Sequence, residues 1–321
     1  MFNLFYFVNI NNGDFMKVRL GYVAICNALN VTSSSPYNYS DYLKYNDFHK
    51  LEEIIISNLM ALNEIIDYNI KNNIHFYRIS SKLIPLATKD DVNFDYIYKY
   101  KKYYNKIGKK IRDSKMRVDF HPDQYCILNS VKEDIVYNSI KILEYHYKLL
   151  DAFGINDKVL ILHVGSSTFG KDNSIKRFIN SYNKLPLYLK KCIAIENDDK
   201  VFNVSDVITI SNNTGIPIVL DYHHHMCNKS NIDINAIFDS WGDRVPKVHF
   251  SSPRGKKDFR SHNDYINGND FICFIEFLKK YDRDVDIMLE AKCKDDSLFR
   301  LVRYLKYKTT YKFIDDTSFV L

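Results

Sequence analysis

The chain has 321 residues, of which 46% are hydrophobic and 15% aromatic, and this composition excludes a disordered or fibrous protein. Its formal net charge is +6, from 45 basic and 39 acidic residues, which permits nucleic-acid binding without demanding it. The six cysteines form no C-x-x-C pair, so we expect unpaired thiols in an intracellular protein, cytoplasmic or nuclear, rather than a disulfide framework.

The chain opens with an apolar segment, MFNLFYFVNI, which has no basic stretch before it and is too short to span a bilayer. We therefore expect neither a secretory signal nor a membrane partner. We divide the chain into an N-terminal extension at 1–16, a barrel domain at 17–310 and a C-terminal tail at 311–321.

Eight short apolar or β-branched runs alternate with segments of helical period, as is typical of strand–helix units in a parallel sheet. The predicted strands are Lys17–Ile25, Asn73–Ser81, Met116–Pro122, Val159–Gly165, Cys192–Asp198, Pro217–His225, Pro246–Ser252 and Asp284–Lys292. Apolar residues at three- and four-residue steps predict helices at Phe48–Lys71, Tyr137–Phe153 and Phe271–Tyr281. A doubly wound fold has fewer strands and a glycine-rich phosphate loop, which this sequence lacks. We therefore predict a single (β/α)8 TIM barrel without a nucleotide cofactor.

Reactive residues collect where six successive predicted strands end, the third to the eighth. In a β/α barrel these carboxyl ends meet at one face, where the loops converge. The residues are His121, His163, Glu196, Asp221 with His223–His225, His249, Glu290 and, in the loop after strand seven, His262. Imidazoles and carboxylates suit Zn, Mn or Fe, and converging carboxylates repel one another unless cations neutralise them. We therefore predict a metal cluster at this face.

The sequence of strand six does not decide which of its three consecutive histidines is a metal ligand. Asp221, His223 and His225 share one face if the strand runs straight, because side chains alternate with a period of two. We expect at least one of the three histidines to be a solvated strand end.

Lys247 is an unusual neighbour for metal ligands. It lies two residues before His249 in an apolar run, so both side chains are predicted to point into the barrel. If Lys247 has no role in metal binding, the predicted alternative is an ion pair with Glu196 or Glu290.

Ten strings in order resemble the UV damage endonuclease family along residues 17–292. They are RLGYVA at Arg19–Ala24, HFYRISS at His75–Ser81, LIPLAT at Leu83–Thr88, HPDQY at His121–Tyr125, HVG at His163–Gly165, ENDD at Glu196–Asp199, DYHHH at Asp221–His225, KVHFSSP at Lys247–Pro253, SHNDYI at Ser261–Ile266 and MLEAK at Met288–Lys292. The resemblance implies the xylose-isomerase-like barrel shared with apurinic-site endonucleases. It also implies incision of duplex DNA immediately 5′ of a UV photoproduct, with abasic sites as a further substrate.

The resemblance implies a metal-ligand set in which the D-x-x-H spacing selects His224. The set is His121, His163, Glu196, Asp221, His224, His249, His262 and Glu290. It would hold two or three divalent ions, Mn²⁺ being expected and Mg²⁺ or Zn²⁺ the alternatives. Catalytic roles fall to Glu196 and Glu290 as bridging carboxylates and to Lys247, which the family can carboxylate into a bridging anion. Many relatives read LATH where this chain has Leu86–Lys89, so Lys89 is left as a charged phosphate contact.

Damaged duplex DNA is the expected partner, bound by a monomer. By resemblance, Gln124 and Tyr125 are candidates to wedge into a destacked lesion, and Tyr22 is a second candidate for lesion contact. A basic loop after strand seven is expected to follow phosphates. Its residues are Arg254, Lys256, Lys257 and Arg260.

Two rival functions stay open. A sugar isomerase or epimerase uses the same barrel and two metals, but it needs neither a Gln–Tyr wedge nor a basic loop. A damage-binding protein with impaired catalysis is suggested only by Lys89, and the presence of all eight implied ligands argues against it.

Overall fold

The computed structural model describes residues 16–92 and 94–321, so the predicted extension, apart from Met16, lies outside the described residues. Its strands are β1 (Lys17–Val23), β2 (Phe76–Arg78), β3 (Arg117–Asp119), β4 (Leu160–His163), β5 (Ile193–Glu196), β6 (Ile218–Asp221), β7 (Lys247–Phe250), β8 (Val285–Leu289), β9 (Lys312–Phe313) and β10 (Ser318–Val320). Its helices are α1 (Tyr39–Tyr45), α2 (Phe48–Lys71), α3 (Tyr96–Lys99), α4 (Lys101–Asp113), α5 (Glu133–Ala152), α6 (Lys171–Lys184), α7 (Leu187–Lys190), α8 (Val204–Thr214), α9 (Tyr222–Cys227), α10 (Ile234–Asp239), α11 (Gly268–Lys279) and α12 (Lys294–Lys308).

Strands β1 to β8 are parallel and pair in the order β3-β2-β1-β8-β7-β6-β5-β4. The two ends of this order meet at a parallel bridge between Phe120 and Leu160. There the Phe120 N–H donates to the Val159 carbonyl over 3.1 Å, and the Ile161 N–H donates to the Phe120 carbonyl over 3.0 Å. These bonds close the sheet, so the predicted eight-stranded barrel is confirmed.

Helix α2 shows how the apolar stripes cover the barrel. Its first turn is capped by Asp47, whose side chain accepts a hydrogen bond from the Lys50 N–H over 2.9 Å. The stripe that includes Leu51, Ile55 and Leu59 is fully buried. The helix has the bounds that the periodicity predicts. Burial of each of these side chains stabilises the fold by roughly 1.5–3 kcal/mol relative to leaving it exposed.

A short hairpin extends the sheet beside β1. That strand pairs with β2 only from Gly21 onwards, and its first three residues pair instead with β10 in antiparallel register, Lys17 opposite Val320. Strand β9 pairs with β10. The segment predicted as a C-terminal tail therefore includes a hairpin that covers the part of β1 left open by β2.

Strand six is shorter than predicted, because β6 ends at Asp221 and the histidine triplet begins helix α9. The Asp221 side chain accepts a hydrogen bond from the His224 N–H over 2.7 Å, which starts the helix. The three side chains therefore follow a helical period rather than a period of two. His223 and His225 are 2% and 9% exposed and His224 is partly buried, so the expected solvated histidine is wrong.

The six cysteines are free, as predicted. Among the described residues, none of the helices combines the length and the apolar character needed to cross a membrane.

Candidate metal centre

A cleft of about 520 Å³ opens at the carboxyl ends of the strands, and its walls include His121, His163, Glu196, His224 and Glu290. Three overlapping groups of ligand atoms each lie within 4.8 Å of one another. They are His121, His163 and Glu196; Glu196, Asp221 and His224; and Asp221, His249 and Glu290. The His262 Nδ1 lies 3.9 Å from the Glu290 Oε2 and brings the eighth implied ligand to the same place.

Glu196 lies at the centre of the cluster and is 1% exposed. Its Oε2 is 2.9 Å from the His121 Nε2 and 4.0 Å from the His163 Nε2. Its Oε1 is 3.0 Å from the His249 Nδ1 and 3.4 Å from the His224 Nδ1. Burial alone would raise the pKa of Glu196, but the surrounding imidazoles hold it well below its usual value. This carboxylate is therefore ionised, and it approaches four of the other seven proposed ligands.

Asp221 and His224 form the second part of the cluster. The Asn197 side chain fixes Asp221 by donating to its carbonyl and accepting from its N–H, each over 2.9 Å. Burial raises the pKa of Asp221, and the Glu196 and Glu290 charges raise it further. Burial opposes protonation of His224, but Asp221 and Glu196 raise the pKa of that imidazole to about 11. Both shifts share one cause, which is the negative charge that the buried carboxylates bring together and that a bound cation would neutralise.

Two buried ligand atoms make no hydrogen bond to a described residue. They are the Asp221 Oδ2 and the His249 Nδ1, whose 3.0 Å approach to the Glu196 Oε1 is not aligned for a hydrogen bond. Buried polar atoms in folded proteins are almost always satisfied, so orphaned atoms need an explanation. Divalent cations provide one, and the mixed nitrogen and oxygen donors suit Mn²⁺ or Zn²⁺. The residues present therefore fit the metal centre that the sequence predicts.

Arg78, at the end of β2, is a member of the site that the sequence reasoning missed. Its side chain is 7% exposed, and it donates to the Glu290 Oε1 over 2.6 Å and to the His249 Nε2 over 2.5 Å. Its Nε lies 3.4 Å from the Asp119 Oδ1. Burial alone would raise the pKa of Glu290, but Arg78 and His249 hold it far below its usual value. A charged residue inside the fully buried strand FYR was the signal for this role.

Lys247 is fully buried and donates to the Asp119 Oδ2 over 3.0 Å. The predicted pairing with Glu196 or Glu290 is wrong, because Arg78 already binds Glu290 and Asp119 faces the lysine across the barrel interior. Burial lowers the pKa of Lys247 to about 8, although Asp119 opposes the shift. Its carboxylation stays a prediction.

The predicted lesion contacts divide into two groups. Gln124 lines the cleft and Tyr125 beside it is 72% exposed, so both are available at the rim. Tyr22 is fully buried between β1 and α2, where its hydroxyl donates to the Asn69 Oδ1 over 2.8 Å. The predicted lesion contact of Tyr22 is therefore wrong, because its ring belongs to the core and its polar atom is already satisfied.

The basic side chains lie around the rim. Arg254, Lys256, Lys257 and Arg260 are exposed on a loop closed by a bridge between Pro253 and His262. Lys82, which the sequence reasoning did not select, is exposed and lines the cleft. Lys89 is exposed, and its ammonium lies 4.7 Å from the ring centroid of Tyr39 rather than within a group of ligand atoms.

Known proteins with similar sequences identify one family, and more distant structures share only the fold. The profile of UV-endonuclease UvdE matches residues 18–318. A UV DNA damage endonuclease of Bacillus cereus (strain B4264) is 38% identical over 300 residues, covering 89% of this chain and 94% of that protein. The crystal structure of SacUVDE superposes with a TM-score of 0.82 at 36% identity, covering 90% of this chain and 98% of that one. Endonuclease IV from Thermus thermophilus shares the fold at 12% identity, with a TM-score of 0.51 and coverage of 84% and 91%. The chain therefore belongs to the UV-endonuclease UvdE family.

Proposed function

We propose that this protein is a metal-dependent DNA repair endonuclease that cuts one strand of duplex DNA immediately 5′ of UV photoproducts. Abasic sites are a second proposed substrate. The observation that carries the proposal is the buried Glu196, ringed by four imidazoles in the cleft of a UvdE-family barrel. One chain supplies all eight proposed ligands, so a monomer suffices.

The proposed ligands fall into groups that share carboxylates, as a centre with two or three ions requires. Glu196 belongs to two of the three groups, and Asp221 links the second to the third. Glu196 and Glu290 would be the carboxylates that hold and neutralise the ions, and we expect Mn²⁺, with Mg²⁺ and Zn²⁺ as alternatives. Bound ions supply a nucleophilic water, neutralise the phosphoryl oxygens and stabilise the leaving oxygen.

The chain's own groups prepare the cleft for a phosphate. Arg78 keeps a fixed positive charge beside Glu290 and holds that carboxylate in place. Lys82 and the loop that carries Arg254 and Lys257 present solvated cations at the rim. Such contacts orient the DNA backbone, and they predict binding that weakens steeply as salt rises.

Lesion recognition is assigned to Gln124 and Tyr125. A photoproduct or an abasic site weakens base stacking, which lowers the cost of inserting a side chain into the duplex. An exposed ring beside the cleft suits that task, because it can insert between the bases of the duplex while the metal centre faces the phosphate backbone of the DNA. A sugar epimerase, the main rival, has no need of an exposed aromatic wedge or a basic rim.

The test separates binding from cutting. After chelation and addition of Mn²⁺, we expect Glu196→Gln to bind a photoproduct duplex as wild type does but to cut it at least about a hundredfold more slowly. Tyr125→Ala should weaken lesion binding, whereas the control Tyr137→Ala, which removes another exposed ring, should not. Full activity of Glu196→Gln would contradict the proposal, and so would lesion binding by Tyr125→Ala equal to that of the control.

A further inference from the structure

A second cleft, of about 780 Å³, opens at the opposite end of the barrel from the metal centre. Its walls include residues at or just before the starts of strands, among them Arg117 at β3, Cys192 before β5 and Val245 two residues before β7. The proposed metal ligands lie at the carboxyl ends of the strands. No part of the proposed incision chemistry uses this second cleft.

Positive charge dominates this second cleft, since seven basic side chains and one acidic side chain line it. Acidic partners are few: Asp286 pairs with Arg19 and Arg117, Asp157 with Arg117 and Arg244, and Asp151 with Lys158. Lys115 and Lys191 make no ion pair with a described residue. The cations therefore outnumber their acidic partners by four.

Helix ends do not account for this excess. Helices α4, α5 and α7 finish beside the cleft, and each carboxyl end carries roughly half a negative charge, about 1.5 charges in total. Glu144, which accepts a hydrogen bond from the Tyr188 hydroxyl over 3.1 Å, adds one negative charge at the edge of the cleft. More than one positive charge is left without a counter-charge among the described residues. A concave site lined by one sign of charge concentrates ions of the opposite sign.

Two arginines at the floor show how crowded the cations are. Arg117 and Arg244 lie over the same indole, with guanidinium carbons 5.4 and 5.0 Å from the ring centroid of Trp241. The Arg117 side chain is 9% exposed, and its Nη2 has no hydrogen-bond partner among the described residues. Burial alone would raise the pKa of Asp157, but Arg117 and the nearby cations lower it. The positive charges of the cleft thus stabilise the ionised form of the Asp157 carboxyl.

We propose that this cleft binds a compact polyphosphate anion. Its volume lies within the range of about 300–1,000 Å³ typical of small-ligand pockets, which is too small for a duplex. Guanidinium and ammonium groups together match clustered phosphate oxygens. Tyr147 and Tyr188, with ring centroids 4.7 Å apart, form an aromatic wall on which a nucleobase can lie. The anion is therefore an inorganic or a nucleoside polyphosphate.

Trp241 gives the experiment its signal, because it is the only tryptophan of the chain. In chelator and at constant ionic strength, inorganic tripolyphosphate should change the tryptophan emission saturably, whereas added chloride should not. Lys115→Glu/Lys191→Glu changes two exposed, unpaired side chains and should weaken this binding about tenfold or more. Lys101→Glu/Lys308→Glu, which changes two exposed lysines elsewhere, should bind as wild type. A parallel titration with ATP separates a nucleotide site from a purely inorganic one, since only the former gains affinity from the aromatic wall.

Any of three results would overturn the inference. The first is an emission that tripolyphosphate leaves unchanged at millimolar concentration, and the second is equal affinity of both double variants for tripolyphosphate. The third is an undamaged duplex that produces the same signal and loses it in Lys115→Glu/Lys191→Glu, because the cleft would then be a DNA contact. Incision by Lys115→Glu/Lys191→Glu should remain at the wild-type rate, which separates this site from the proposed metal centre.

Discussion

Replacing Arg78 by methionine tests the ionic support of the cluster. The substitution keeps most of the side-chain volume and removes the charge that binds Glu290 over 2.6 Å and approaches Asp119 at 3.4 Å. Lys247 still neutralises Asp119, so Glu290 is the carboxylate that loses its guanidinium partner and keeps only the imidazoles of His249 and His262 beside it. Removing one member of a buried ion pair typically costs about 3–5 kcal/mol.

This loss of unfolding free energy corresponds to a decrease in the melting temperature, Tm. With an unfolding entropy of about 2.1 cal/mol/K per residue over 321 residues, a loss of about 3–5 kcal/mol lowers the Tm by about 4–7 °C. We expect this decrease for Arg78→Met in chelator, measured by calorimetry. Saturating Mn²⁺ should shrink the difference from wild type, because bound cations would neutralise Glu290.

The matched control is Arg303→Met, since Arg303 is exposed. Its Tm should stay within about 1 °C of wild type, as is usual for surface substitutions. An Arg78→Met protein as stable as this control in chelator would refute the reasoning. A stability difference that Mn²⁺ left unchanged would instead show that Glu290 takes no part in metal binding.

Two further substitutions test single side chains of the core. Burial lowers the pKa of His146 to about 4, so the unfolded chain takes up a proton near pH 6.5 and the folded chain only near pH 4. The stability that depends on neutral His146 is therefore complete above pH 6.5 and is lost as the pH falls towards 4, by at most about 3 kcal/mol. In urea unfolding, His146→Gln should remove this decrease, whereas His49→Gln, at an exposed histidine, should keep it. Tyr22→Phe should cost about 1–2 kcal/mol, because the buried acceptor on Asn69 loses its donor, and should leave the incision rate within about twofold of wild type; a larger loss of incision would restore Tyr22 as a lesion contact.

The barrel was predictable because its signals are local. Apolar stripes such as Phe48–Lys71 and eight β-branched runs each determine one element, and loop convergence at the carboxyl ends then brings distant ligands together. The period-of-two reading failed at Asp221, where one side-chain oxygen caps a helix and ends the strand. A capping residue followed by three polar residues was the available signal.

The pairings inside the barrel were beyond sequence reasoning. Lys247 and Asp119 are separated by 128 residues and meet only because the sheet closes. Arg78 lies in the string HFYRISS, which resembles the family. A cation in a buried strand also requires an acidic partner, and this requirement indicates a site role for Arg78. Tyr22 is a candidate lesion contact by resemblance alone. Whether its side chain points into the core depends on how β1 packs against α2. Which charged side chains meet across a barrel depends on how the sheet closes and on the stagger between its strands. No local sequence pattern specifies either of these.

Product mapping decides whether this cleft cuts DNA next to a lesion. An end-labelled duplex with one photoproduct, resolved at single-nucleotide length after chelation and addition of Mn²⁺, should give one product that ends immediately 5′ of the lesion and carries an extendable 3′-hydroxyl. The undamaged duplex should stay intact, and chelator should abolish the product. Cutting that ignores the lesion, or tight lesion binding that no divalent ion converts into a nick, would contradict the account.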